Sequence, residues 1–205
     1  MAKLQQIHLV TGKGGVGKSA VAAALALKKA NEGQKTLLVE LGSRSFFQDY
    51  FSLQGVSNKP MSLRQPLAMI NQNLELAIWS GESCLHEYAM HLLKLESLYR
   101  LFFENPVTKT LIQVAPALNE LSIAGKITSH PRKAGPPLDY DCLVVDAFAT
   151  GHFLALIQSA YGMSQAVRFG PMGEQSKQID QILRDPAQTS YYVVSLPEEM
   201  PVHEA

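Results

Sequence analysis

Residues 12–19 read Gly-Lys-Gly-Gly-Val-Gly-Lys-Ser, between an apolar run, QIHLV (6–10), and an alanine-rich segment, SAVAAALALKKANEG (19–33). A glycine-rich stretch ending in Lys-Ser, entered from a strand and leaving into a helix, is the pattern of a phosphate-binding loop. Glycines allow the tight turn and bring several backbone N–H groups toward one anion. The helix start adds unpaired donors and the positive end of its dipole. Gly12, Lys13, Gly14, Gly15, Val16, Gly17, Lys18, Ser19 and the following Ala20 are therefore the candidate nucleotide-binding residues. Lys18 would supply charge to the β- and γ-phosphates, and the Ser19 hydroxyl is placed to ligate Mg²⁺. The implied cofactors are ATP and Mg²⁺.

The other apolar runs extend the same architecture. KTLLVEL (35–41), NLELAIWS (73–80), DCLVVDAF (141–148) and SYYVVSL (190–196) read as strands. Strands alternating with helical segments predict an α/β fold with a doubly wound, mainly parallel sheet, here a P-loop NTPase fold. A helical insertion is expected at about residues 83–125, where SCLHEYAMHLLKLESLYRLFF has helical period and a second helix pair follows a break at Pro106. SHPRKAGPPLDYD (129–141) reads as a loop rich in proline, glycine and basic residues. A chain of 205 residues suits one domain over 1–205.

Composition narrows the function classes. Lys+Arg and Asp+Glu both number 18, so no global charge draws the chain to nucleic acid. Membrane association is not indicated and is left open. The alanine-rich stretch is too short to span a bilayer. Two cysteines, Cys84 and Cys142, suggest no disulfide framework, and MAKLQQIHLV lacks a signal pattern. A cytoplasmic location is the simplest expectation.

The second lysine of the loop, Lys13, gives it the form K-G-G-x-G-K-S. This resembles the deviant phosphate loop of the septum-site, chromosome-partition, nitrogenase-iron-protein and arsenical-pump ATPases. The resemblance implies that Lys13 reaches across a dimer interface to phosphate held by another subunit; the alternative is a solvent-exposed turn lysine. VVDAFATGHFLALI (144–157) resembles the second switch, D-T-A-P-T-G-H-T-L, of the arsenical-pump and tail-anchored-protein-targeting ATPases. Asp146, Thr150, Gly151, His152 and Leu154 match it, whereas Ala147, Phe148, Ala149 and Phe153 depart. An aspartate ending an apolar strand suits a water-mediated Mg²⁺ contact. The resemblance makes Thr150-Gly151-His152 a γ-phosphate-sensing turn. NLELAIWSGESCLHEY, APALNELS and LPEEMPVHEA are similar to further family segments, the last placing Pro197 at a helix start beside the nucleotide. In the family an adenine-side strand and helices follow that motif, so the 205 residues are expected to lack that segment.

Three departures qualify the resemblance. The family's first switch carries an aspartate that positions the attacking water; in VELGSRSFFQD, Gly42 stands there, with Ser43 at the next position and Asp49 at a later aspartate. Glu40 is the nearby acid. It is either a partial stand-in or an ordinary strand-end carboxylate near magnesium. The candidate catalytic residues are thus Lys13, Lys18 and Glu40. Secondly, two cysteines, and His86 and His91 five residues apart, do not suit a thiolate metal site. Thirdly, the helical region is short for a client cradle, and its apolar run, from Leu85 and Met90 to Leu101, Phe102 and Phe103, is either core or a partner-binding face. The function expected is an ATP-driven dimeric switch acting on a protein partner, as homodimer or heterodimer. The alternative is a hydrolytically weak nucleotide-binding subunit paired with an active paralogue.

Overall fold

In a computed structural model, which describes residues 5–43, 45–53, 68–93, 116–135, 137–167 and 171–198, the apolar runs become one sheet. Its strands are β1 (Gln6–Gly12), β2 (Thr36–Leu41), β3 (Ala68–Asn71), β4 (Leu74–Trp79), β5 (Cys142–Ala149) and β6 (Thr189–Val194), in the order β3-β4-β2-β5-β1-β6. All neighbours are parallel except β3 and β4. The sheet is α/β and mainly parallel, as the strand pattern predicts. The edge strand β3 was not anticipated. It has four residues, and its turn into β4 is held by Asn73 N–H donating to Asn71 Oδ1 at 2.9 Å. A short run closed by an asparagine turn carries little periodic signal.

The helices are α1 (Lys18–Asn31), α2 (Phe47–Tyr50), α3 (Gly81–Leu93), α4 (Pro116–Ile127), α5 (Ser129–Arg132), α6 (Thr150–Ala166) and α7 (Pro171–Arg184). Alternation along the strands divides the core in two. Val10, Leu38, Leu74, Leu76 and Val144 pack against the alanines of α1 and against Phe47 of α2. Leu9, Val39, Trp79, Val145 and Ala147 face the opposite way, onto α4, α6 and α7. Burial on both faces explains why β2 and β5 read as unbroken apolar runs.

Two expectations change in detail. Ser129–Arg132 forms a helical turn inside the segment read as a loop, because the α4 backbone pattern carries on through Thr128 N–H to Ala124 O at 3.1 Å and Arg132 N–H to Thr128 O at 3.2 Å. Thr150-Gly151-His152 is the first turn of α6 rather than a separate turn, since β5 runs directly into that helix. Within the insertion, α3 and α4 are helical where described. Pro106, Leu101, Phe102 and Phe103 lie outside the described residues, as do the last seven residues of the chain.

Candidate functional site

Gly12 ends β1 with φ +145°, and a Cβ there would stand 2.1 Å from Val194 O of β6. Only glycine lets the two strands stay this close while the chain turns into the loop. Gly15 and Gly17 take left-handed φ values of +84° and +94°, and a Cβ at either would meet nothing within 4 Å. Their requirement is conformational, and the space beside them is open to a ligand. Helix α1 then starts at Lys18 with no side-chain cap and no acidic residue in its first turn. Its leading N–H groups and dipole are left uncompensated, which suits an anion.

Lys18 folds back along the loop, its Nζ donating to Lys13 O at 2.9 Å. This ties the ammonium to the loop. Lys13 is half-buried on the same turn, and Ala20 is exposed on α1. Thr11 Oγ1 donates to Phe148 O at 2.9 Å, tying the base of the loop to the end of β5. Sequence reading missed Thr11, whose only signal is a hydroxyl on the strand residue just before the first glycine.

The strand register lines Val10, Asp146 and Glu40 across β1, β5 and β2. Parity puts Asp146 and Glu40 on the α1 face. There Ser19 Oγ donates to Asp146 Oδ2 at 2.6 Å. Asp146 is only 8% exposed, and its Oδ1 is buried with no hydrogen-bond partner. Burial pushes its carboxyl above the usual carboxylate range and the Glu40 charge adds to this, while Ser19 and Lys18 pull the other way. A buried carboxylate with one unmatched oxygen, next to a serine hydroxyl, has the hard oxygen donors that Mg²⁺ takes, bound directly or through water. Ser19 and Asp146 are the residues that would hold the ion, which would neutralise charge on the phosphates. Thr150 Oγ1 at the start of α6 is likewise buried and unpartnered. Gly151, His152 and Pro197 are exposed.

Glu40 is engaged elsewhere. Its Oε2 accepts from Ser45 Oγ at 2.7 Å and its Oε1 from Phe46 N–H at 2.6 Å, so the carboxylate gathers the chain that follows β2. Ser45 and Phe46 are partners sequence reading did not foresee. Gly42 has φ +156° and its N–H donates to Trp79 O at 2.9 Å. The backbone at the position of the family's aspartate is thus drawn toward β4 in a conformation that L side chains rarely adopt. Among the described residues no group of three or more His, Cys, Asp or Glu side chains gathers as a metal site. Cys84 is buried in α3, where desolvation pushes its thiol up to about 12.

A parallel sheet with a glycine loop and an uncapped helix at the carboxyl ends of β1 and β5 defines a P-loop nucleotide-binding fold. Residues 5–173 match the family model described as anion-transporting ATPase, and the chain belongs to that family. It is 32% identical over 202 residues to ATPase BagA of Mycobacterium tuberculosis, covering 97% of this chain and 58% of the relative. It is 26% identical over 205 residues to the arsenical pump-driving ATPase of Escherichia coli, covering 96% of this chain and 30% of that protein. The chain therefore spans 58% of the length of the mycobacterial relative. No helix among the described residues is long and apolar enough to cross a membrane.

Proposed function

We propose that the protein binds ATP with Mg²⁺ at the loop Gly12–Ser19 and uses it as a dimeric switch controlling a protein partner in the cytoplasm. The observation that carries this reading is the bond from Ser19 on α1 to Asp146 within β5. It brings together, across 127 residues of sequence, the two groups that the loop pattern and the switch resemblance single out separately. Lys18 binds the β- and γ-phosphates, the backbone at Gly14, Gly15, Val16 and Gly17 cradles them, and Gly151 and Pro197 border the nucleotide. Lys13 contributes its charge to the site of a second subunit, so that closure of the dimer depends on nucleotide.

Turnover in this reading is slow. Gly42 offers no carboxylate, and both oxygens of Glu40 accept bonds from the following segment. These observations favour the second reading, a hydrolytically weak subunit completed by a paralogue in a heterodimer. The test is calorimetric titration of ATP into the parent and Lys18→Ala, then light scattering of the parent and Lys13→Ala with a non-hydrolysable analogue. Equal ATP affinity in parent and Lys18→Ala would remove the loop from the site. Equal dimerisation with and without Lys13 would remove the trans role.

A further inference from the structure

Away from the phosphate loop, helices α3, α4 and α7 line a partly open cavity of about 350 Å³. Leu85, Leu118, Leu121 and Ile179 supply an apolar body. Arg132 enters it from α5, beside Tyr88 and Gln175. The guanidinium is fixed by two bonds, from Nε to Thr128 Oγ1 at 3.0 Å and from Nη2 to Gly125 O at 2.6 Å. Its Nη1 is buried and has no partner. None of the ion pairs among the described residues involves Arg132. The Tyr88 hydroxyl donates to Gln175 Oε1 and makes no hydrogen bond to Nη1, although it lies near enough to favour the guanidinium charge.

A half-buried guanidinium with one buried N–H group unmatched and no carboxylate partner is left short of an acceptor, and a carboxylate is the group whose planar oxygens match it. At roughly 30 Å³ for each small group, the volume accommodates about a dozen non-hydrogen atoms. We infer that this cavity is a binding site for a small amphipathic carboxylate of medium-chain fatty-acid type, its head on Arg132 and its chain along Leu85, Leu118, Leu121 and Ile179. The inference is independent of nucleotide binding, because none of its residues belongs to the loop, β5 or the Glu40 segment. Binding would join α5 to α3, α4 and α7, and so fix the helical layer on one face of the sheet.

The experiment is titration calorimetry of the whole chain with decanoate, below its micelle concentration, beside decanol as the neutral probe of equal length. Decanoate is expected to bind about ten-fold or more tightly than decanol, the difference that a charge-assisted hydrogen bond supports. R132K should retain the preference for the acid, and R132Q should lose it. L121W, which fills the cavity, should abolish binding of both probes. Equal binding of the two probes by the parent, or decanoate binding undiminished in R132Q or L121W, overturns the assignment. Should R132Q fail to fold, the parent's preference and L121W decide the matter by themselves.

Discussion

The Ser19 hydroxyl donates to Asp146 Oδ2 at 2.6 Å, joining the first turn of α1 to the last buried stretch of β5. Ser19→Ala leaves both Asp146 oxygens buried without a donor, a loss of about 1–3 kcal/mol in the absence of ligand. Under the proposed function it also removes one of two oxygen donors for Mg²⁺. Urea unfolding of the apo protein should show the stability loss. Calorimetry should show that Mg²⁺ no longer raises ATP affinity in Ser19→Ala or Asp146→Asn. A full magnesium effect in both variants would take these residues out of a metal role.

His8 carries a pH dependence that can be signed. It lies on β1, 4% exposed, with Lys29 of α1 and Tyr192 of β6 around it, and burial, assisted by the Lys29 charge, lowers its pKa to about 4 from 6.5. The unfolded chain binds the proton near 6.5 whereas the fold resists it down to about 4. The neutral imidazole's full contribution is present above pH 6.5 and is lost as pH falls through that window, by up to about 3 kcal/mol. His8→Phe removes the titration, and with it the ring's hydrogen bond to the Tyr192 hydroxyl, a loss that does not vary with pH in this range. Its urea midpoint should fall less than the parent's between about pH 7.5 and about pH 5. Identical slopes would assign the acid sensitivity to other groups.

The parts of this molecule legible in its sequence are those written in local pattern. The glycine loop, the parallel strands and the Lys18–Ser19 pair follow from spacing and side-chain chemistry, because a phosphate loop is specified within eight consecutive residues. Asp146 was legible as a strand-end acid, but its bond to Ser19 requires β5 and β1 to be neighbours, which periodicity does not state. Glu40 left two readings open because its partners, Ser45 and the Phe46 N–H, are set by the path of the chain after β2. Arg132 was hidden in a proline-rich segment, where helix α5 and the cavity it serves leave no periodic trace.

Lys126 and Glu87 form an ion pair inside the protein, 8% and 4% exposed at their side chains. The ammonium also stands 4.5 Å from the Trp79 ring centroid, which links α4, α3 and the end of β4. Removing one partner strands a buried charge, so Lys126→Met and Glu87→Gln should each cost about 3–5 kcal/mol. The double variant should recover much of the loss, because no charge then lacks its partner. Additive losses in a denaturant double-mutant cycle would show that the two charges act separately.

Two glycines should respond in opposite directions to alanine. At Gly81, the first residue of α3, a Cβ would lie 2.4 Å from Asn119 Cβ, so α3 and α4 meet there without room for a methyl group. Gly81→Ala should cost about 1–3 kcal/mol by overpacking. Gly162, inside α6, would meet nothing within 4 Å. Gly162→Ala should gain about 0.5–1 kcal/mol from helix propensity. A denaturation midpoint that does not fall in Gly81→Ala would contradict the close approach of α3 and α4, and one that does not rise in Gly162→Ala would contradict the open surroundings of Gly162.

The last prediction concerns hydrolysis, where Gly42 and Glu40 must be read together. Transfer of phosphate to water depends on holding the nucleophile in line, and loss of a positioned carboxylate costs roughly two to four orders of magnitude in rate. Glu40 has both oxygens committed to Ser45 and Phe46. Its first effect is therefore to shape the segment after β2. Glu40→Gln replaces one acceptor with a donor facing a hydroxyl or N–H, and should lower stability by about 1–3 kcal/mol. Gly42→Asp does not simply restore the aspartate, because φ +156° must relax first, at a cost of about 1–3 kcal/mol. Single-turnover assays should show slow hydrolysis by the parent and no gain from Gly42→Asp. Glu40→Gln should leave ATP affinity nearly intact. Rapid hydrolysis by the parent that Glu40→Gln does not disturb would place the water-orienting group on another residue. A large gain from Gly42→Asp would show that the backbone relaxes readily and that the missing carboxylate alone limits the rate.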